Sequence, residues 1–293
     1  MSGSEHQTWV DTSSLRLPAG AVELATIETD AAPGFGGKKA DGAAALDAMG
    51  AELADLQERL WAARTTGSHS RILLVLQGMD TSGKGGVIRS ALGLVDPQGL
   101  QIKGFKAPSD EEKQHDFLWR IRNALPTPGH IGVFDRSHYE DVLIVRVHEW
   151  ASATEIERRY EAINEFEAEL AADQVTVIKC MLHVSAAEQQ ARLLARLENL
   201  DKHWKYHPSD VDERALWPAY QEAYQVALER TNTEAGPWHV IPADKKWYRN
   251  LAVAQLLLNA LRGMQLSWPV ADFDVEAEKR RLSELKLAEL EVG

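Results

Sequence analysis

Apolar residues along this chain fall into short unbroken runs that alternate with stretches repeating every three or four positions. Leu46, Met49, Leu53, Leu56 and Leu60 step by three and four, and predict a helix beginning near Ala43. Ile72-Leu73-Leu74-Val75-Leu76 is a short continuous apolar run, typical of a strand buried on both faces of a parallel sheet. A glycine-rich turn follows, then a helix over 87–95. Further strands are predicted over 100–105, 131–134 and 238–241, and over 175–182, which is rich in β-branched residues. Ser109, with Glu112 three residues on, reads as a capping box that opens a helix over 109–125. Ile156, Tyr160, Ile163, Phe166 and Leu170 have helical spacing, Ser185 opens another helix, and 209–230 and 247–262 are helical. Strands alternating with helices predict a parallel sheet covered on both faces.

Three regions follow from this pattern. Residues 1–42 lack periodicity, are punctuated by Pro33-Gly34-Phe35-Gly36-Gly37, and read as an extended arm, either a loose end or a strap over a neighbouring subunit. Residues 43–270 form the α/β body, in which 185–230 is a candidate lid. Residues 271–293 form a tail with a charged helix over 277–290, docked on a partner or solvated. No internal repeat is present.

Composition narrows the function classes. The 293 residues suit one large domain, or a domain with a lid. Apolar residues at 44% and charged residues at 26% exclude collagen-like and wholly disordered chains. Lys+Arg total 32 against 44 Asp+Glu, a net charge of −12, which argues against nucleic acid or a membrane surface as partner. A local basic channel for a polyanion can still coexist with an acidic exterior. The single Cys180 permits no disulfide within the chain and no cysteine-rich zinc site, as suits a cytoplasmic protein. The first residues have neither the basic nor the apolar region of a signal peptide. The apolar stretch 251–261 contains Gln255 and Asn259 and is too short to span a bilayer.

The chemistry begins at Gly78-Met79-Asp80-Thr81-Ser82-Gly83-Lys84-Gly85, which fits G-x-x-x-x-G-K after a buried strand and before a helix. Gly78, Gly83, Gly85 and Gly86 let the backbone, through Thr81 and Ser82, curl its N–H groups toward a phosphate. The helix N-terminus adds a positive dipole end, and Lys84 adds a full charge. The Ser or Thr that normally follows the lysine and ligates Mg²⁺ is Gly85 here. Asp80, a carboxylate among phosphates, is then either a metal ligand or a turn-stabilising Asp bonded to local N–H groups. Asp135 ends the apolar strand Ile131-Gly132-Val133-Phe134, where α/β sheets gather their ligands, and is placed like a Walker-B carboxylate. Arg136 follows it, and its planar fork suits phosphoryl oxygens.

These segments, in order, resemble the family-2 polyphosphate kinases. Beside the phosphate loop the resemblance rests on Phe105-Lys106-Ala107-Pro108-Ser109, Asp116-Phe117-Leu118-Trp119-Arg120 and Asp135-Arg136-Ser137-His138-Tyr139-Glu140-Asp141-Val142. It continues through Asp201-Lys202-His203-Trp204-Lys205 and Asp244-Lys245-Lys246, and runs from about Arg71 to Arg262. It implies a P-loop kinase-like, three-layer α/β/α fold with a parallel sheet and a helical lid. It also implies Mg²⁺-dependent transfer of the terminal phosphate of inorganic polyphosphate to ADP, with GDP and AMP as further acceptors and the reverse reaction as an option. Mn²⁺ is the alternative ion. By motif, Asp80, Lys84, Asp135 and Arg136 form the catalytic core, and Asp80 and Asp135 hold the metal. Members that also accept nucleoside monophosphates typically read R-S-H-Y-E-D, as Arg136 to Asp141 do here, which brings in Glu140 as an acceptor-choosing carboxylate. In those members Asn typically precedes the Arg, whereas this chain has Asp135, as in the diphosphate-only members.

Arg192 and Arg196 lie four apart on one helical face, and Lys202, His203 and Lys205 follow. On spacing alone they are either a mobile lid that brings cations over the transferring group or a solvated basic face paired with Glu188 and Glu198. The resemblance favours the lid. Lys103, Lys106, Lys245, Lys246 and Arg249 extend a polyphosphate track. His115, His138 and His207 have no metal-ligand spacing, and Trp119, Trp204, Trp217, Trp238 and Trp247 suit packing. The expected partners are polyphosphate, nucleoside mono- or diphosphates and further copies of the chain, as a dimer or tetramer. Two other readings fit parts of the pattern: an ATP-dependent nucleoside or nucleotide kinase, and a nucleotide-binding regulator without transfer activity.

Overall fold

A computed structural model describes residues 7–285. Five parallel strands, β1 (Arg71–Gln77), β2 (Leu100–Gly104), β3 (Ile131–Asp135), β4 (Val175–His183) and β5 (Trp238–Pro242), form one sheet in the order β2-β3-β1-β4-β5. Every residue of the central strand β1 is buried, as its unbroken apolar run requires. The edge strand β2 is half open to solvent. The chain leaves β1 toward β2 on one side and leaves β3 toward β4 on the other. Pairing sets Leu76 of β1 beside Asp135 of β3, so the loops after these two strands emerge together at the carboxyl edge of the sheet.

The helices are α1 (Lys39–Ala48), α2 (Gly50–Ala63), α3 (Lys84–Ser90), α4 (Trp119–Arg122), α5 (Ile144–Val147) and α6 (Ala153–Ala172). They continue with α7 (Ala186–Leu197), α8 (Ser209–Ala215), α9 (Trp217–Thr231), α10 (Lys246–Gly263) and α11 (Val275–Glu284). The architecture is α/β, as the pattern predicts, and several boundaries differ for physical reasons. The first helix starts earlier and divides at the junction of Met49 and Gly50. The Ser109–Glu112 box forms in both directions, at 2.8 and 3.2 Å, yet it closes only a 3₁₀ turn. Asp116 accepts from Leu118 N at 3.0 Å and starts the chain afresh, leaving α4 as a single turn. The stretch 209–230 breaks at Leu216 because Pro218, in the first turn of α9, cannot continue α8.

Over its described length the N-terminal arm is not loose. Its residues Val10, Leu15, Val22 and Leu24 are buried against the chain's own body. Leu17 N donates to Trp238 O, Arg16 bridges antiparallel to His239 on β5, and Gln255 of α10 accepts from Trp9 N. The arm thus supplies the apolar cover that the β5 edge would otherwise lack. The tail helix α11 is capped by Asp274, which accepts from Ala277 N at 2.9 Å, and none of its residues is buried. Residues 286–290 of the predicted tail helix lie outside the described residues. Among the described residues no helix is long and apolar enough to cross a membrane.

Candidate active site

The loop between β1 and α3 bends through positive φ at Gly78 (146°), Thr81 (63°) and Gly83 (108°). Glycine is required at 83 on two counts. The φ is left-handed, and a Cβ there would lie 1.7 Å from Arg249 Nη1. The carbonyls of the loop are occupied by side chains. Lys84 Nζ donates to Gly78 O at 2.9 Å, Gln189 Nε2 to Asp80 O at 3.1 Å, and Arg192 Nη1 to Thr81 O at 2.8 Å and Ser82 O at 3.0 Å. Arg249 Nη1 also donates to Ser82 O at 3.0 Å. The side-chain hydroxyls of Thr81 and Ser82 are buried with no hydrogen-bond partner.

Arg136, at the end of β3, also has positive φ (65°), and its N–H is tied to Leu76 O at 3.1 Å. Its Nη2 meets Asp80 Oδ1 at 2.6 Å, so the loops after β1 and β3 are joined by one ion pair. Burial pushes Asp80 toward protonation, but Lys84 and Arg136 outweigh it and hold the carboxyl below its ordinary range. Burial and the neighbouring Arg136 push Lys84 down, against Asp80, Asp135 and Glu140. Glu140 sits on a 3₁₀ turn, His138–Asp141, capped by Ser137. Burial raises its pKa, opposed by Arg136 and Lys84. The Gln77 amide, oriented to accept from Ser137, donates to Glu140 Oε1 at 3.1 Å.

Two cavities meet at the Asp80–Arg136 pair. One is an open groove of about 710 Å³, lined by Lys84, Arg89, Lys106, Arg136, Arg192, Arg196, Lys205, Lys246 and Arg249 against Asp80, Asp135 and Asp210. A smaller recess of about 200 Å³ continues it past Lys202. The other cavity, about 300 Å³, is lined by Asp80, Arg136, Glu140, Ile144, Arg214, Tyr220 and Tyr224, among others. Around the loop, Asp135 lines the groove and its carboxylate accepts no hydrogen bond from a described residue, while Asp80 is bonded through Oδ1. No group of three or more ligating side chains occurs among the described residues. One or two carboxylates beside a phosphate groove fit an ion of the magnesium class, which is held partly by protein and partly by phosphates.

A sequence model for the family described as Polyphosphate kinase 2 (PPK2) matches residues 37–268. The chain belongs to the polyphosphate kinase 2 family. It is 42% identical over 252 residues to an AMP/ADP-polyphosphate phosphotransferase of Meiothermus ruber, spanning 86% of this chain and 93% of that protein. It is 41% identical over 229 residues to an ADP-polyphosphate phosphotransferase of Rhodopseudomonas palustris, spanning 74% and 78%. A crystal structure of polyphosphate kinase 2 from Arthrobacter aurescens TC1 superposes with a TM-score of 0.92 at 53% identity, covering 96% of this chain and 99% of that one. The sheet with flanking helices is therefore the P-loop kinase-like fold of polyphosphate kinase 2.

Within this polyphosphate kinase 2 chain, most of the residues marked by sequence lie together. Gly78 and Glu140 face the smaller cavity; Thr81, Gly83, Lys84, Gly85, Gly86, Lys106, Asp135, Arg196 and Lys205 face the groove; Asp80 and Arg136 face both. Three are placed otherwise. Lys103 stands on the edge strand β2 and lines a separate recess beside Trp119 and Arg120. Ser82 is fully buried beneath the loop. Arg192 lines the groove, but its donors are spent on Glu188 and on the carbonyls of Thr81, Ser82, Ala243 and Asp244, so it is a bracket for the loop rather than a free lid cation. His138 and Tyr139 point into the core, where Glu167 Oε1 accepts from Tyr139 OH at 2.8 Å and pairs with His138 Nε2 at 3.2 Å. Lys179 Nζ closes that cluster on Glu167 Oε2 at 2.6 Å. Sequence reasoning missed Gln189, Arg214, Tyr220 and Tyr224. The two tyrosines were legible as an i, i+4 pair on the helix predicted over 209–230. Nothing local marked Gln189.

Proposed function

We propose that this chain transfers the terminal phosphate of inorganic polyphosphate to a nucleotide in a Mg²⁺-dependent reaction, making ATP from ADP, with GDP and AMP as further acceptors and the reverse reaction open. The observation that carries the reading is the junction of two unlike cavities at Asp80 and Arg136. The groove is long, open and cationic, which suits a linear polyanion. The smaller cavity offers Tyr220, Tyr224 and Ile144 to a nucleoside and Arg214 to its phosphate. The relatives' names support the reaction class: the Meiothermus ruber protein is named for AMP and ADP, the Rhodopseudomonas palustris protein for ADP.

The acceptor's terminal phosphate oxygen attacks the terminal phosphorus of polyphosphate, a new P–O bond forms, and the shortened polyphosphate leaves. That oxygen is already anionic near neutral pH, so no strong general base is required. The barrier is repulsion between two polyanions, and positioned cations lower it. Lys84 lies over the loop where the donor's end would sit. Arg136, held by Asp80 and kept charged by Asp80 and Glu140 against burial, stands where the two substrates meet. Asp80 and Asp135 would hold Mg²⁺, which when bound neutralises phosphate charge and aligns the groups. The test is purified protein with polyphosphate, Mg²⁺ and AMP, ADP or GDP, followed by chromatography of the nucleotides. Phosphorylation of the acceptor that EDTA abolishes is expected. Failure with polyphosphate alongside success with ATP as donor overturns the reading.

A further inference from the structure

A phosphate loop that turns its N–H groups toward a ligand must turn its carbonyls away, and buried carbonyls need donors. Here three successive carbonyls, those of Asp80, Thr81 and Ser82, are served by one helix: Gln189 takes the first, and Arg192, one turn on, takes the next two. Gln189 is 2% exposed. Its other end accepts from Arg214 Nη1 at 2.7 Å, and Arg214 is on α8, lines the smaller cavity and also donates to Ala186 O at 2.8 Å. One amide therefore links the carbonyl of Asp80, in the loop under the groove, to a guanidinium in the other cavity.

We propose that Gln189 is a positioning residue that couples the two substrate sites. It holds the Asp80 backbone, and so the Asp80–Arg136 pair, in register with Arg214 when the smaller cavity fills. An amide suits the place because the two ends need opposite characters, a donor toward Asp80 O and an acceptor toward Arg214. Glutamate would keep the second and lose the first.

This inference rests on the proposed reaction, and parent turnover with polyphosphate is the baseline of its test. Steady-state kinetics with ADP and polyphosphate are measured for Gln189→Ala, Arg214→Ala and the double variant, with melting temperatures alongside. Gln189→Ala is expected to lower kcat about tenfold or more, with KM for polyphosphate changed less than about threefold. The double variant should lose no more than the worse single variant, because both act through one chain of bonds. Gln189→Glu should stay folded and remain about as slow as Gln189→Ala. Losses that multiply in the double variant, or a Gln189→Glu variant with parent kcat, overturn the coupling and leave the reaction standing. A parent that does not use polyphosphate overturns the reaction itself. If Gln189→Ala does not fold, Gln189→Met, which keeps the volume and loses both bonds, takes its place in the cycle under the same criteria.

Discussion

Replacing Lys84 with alanine should separate the chemistry of the phosphate loop from its architecture. The structural loss is small. Lys84 Nζ donates to Gly78 O at 2.9 Å and approaches Met79 O at 3.5 Å, and Met79 O keeps a second donor in Ser82 N at 3.1 Å. One orphaned carbonyl costs about 1 kcal/mol. Part of that is returned, because burial and Arg136 already disfavour the charge on Lys84. At about 2.1 cal/mol/K of unfolding entropy per residue, a chain of 293 residues shifts its Tm by about 1.6 °C for each 1 kcal/mol, so Lys84→Ala should melt within about 2 °C of the parent. The catalytic loss is larger. A cation facing the transferring phosphoryl is worth on the order of a hundredfold or more, about 2.7 kcal/mol. Calorimetry and polyphosphate-driven ATP synthesis on the same preparation compare the two. Turnover within threefold of the parent, or a fall in Tm of ten degrees with activity falling in step, refutes the reasoning.

Other perturbations test neighbouring parts. Burial and Arg136 lower the Lys84 pKa in the free enzyme, so kcat/KM for polyphosphate should fall on the alkaline side before the ordinary lysine range. A bound polyanion restores the charge, so kcat should hold to higher pH; coincident limbs in the two profiles count against Lys84 as their source. Glu140→Asn should lower kcat/KM for AMP about tenfold more than for ADP, the scale of one charged hydrogen bond, and equal losses sink the acceptor role. Lys106→Ala should raise KM for polyphosphate several-fold at low salt, while Lys103→Ala, facing another recess, should match the parent; titrating salt through both variants checks this. Lys179→Met leaves Glu167 buried with only Tyr139 and His138, and should cost about 3 kcal/mol. Adding Glu167→Gln should recover part of that loss, and calorimetry showing further loss counts against the paired-charge account.

The middle of the sheet was legible because β1 and β3 are buried and carry short apolar runs that an exposed element would not tolerate. The loop was legible because glycine spacing is a backbone requirement: Gly83 has a positive φ and no room for a Cβ. What stayed hidden is what depends on tertiary partners. Asp116 ends one turn and begins another, which periodicity cannot see. The arm's attachment depends on side chains more than two hundred residues away, such as Gln255 and Glu229. Within Arg136-Ser137-His138-Tyr139-Glu140-Asp141, the motif reads as a single unit, yet the chain sends its members to different places. Arg136 and Glu140 face the cavity, His138 and Tyr139 enter the core, and Asp141 pairs with Arg120, which in turn holds Lys106 O at 2.9 Å.

The cations of the groove divide by how they are held, and the division suits a polymeric donor. Arg192 and Arg249 spend donors on backbone carbonyls, Arg196 donates to Lys205 O at 3.0 Å, and Arg136 is fixed on Asp80. The side chains of Arg89, Lys106 and Lys246 have no hydrogen-bond or ion-pair partner among the described residues. In the proposed reaction a polyphosphate that stays bound for a second transfer must advance by one unit. A bidentate fork anchored along the track would prefer one register and resist that step, whereas a lysine is a point charge on a flexible stem and follows the chain as it slides. Arg136, at the junction of the two cavities, stands where a fixed register is useful, because there the phosphoryl must be aligned with its acceptor. The acidic exterior then has its own role. A net charge of −12 disfavours polyanions over the surface as a whole, so a locally cationic groove favours productive capture over scattered surface binding.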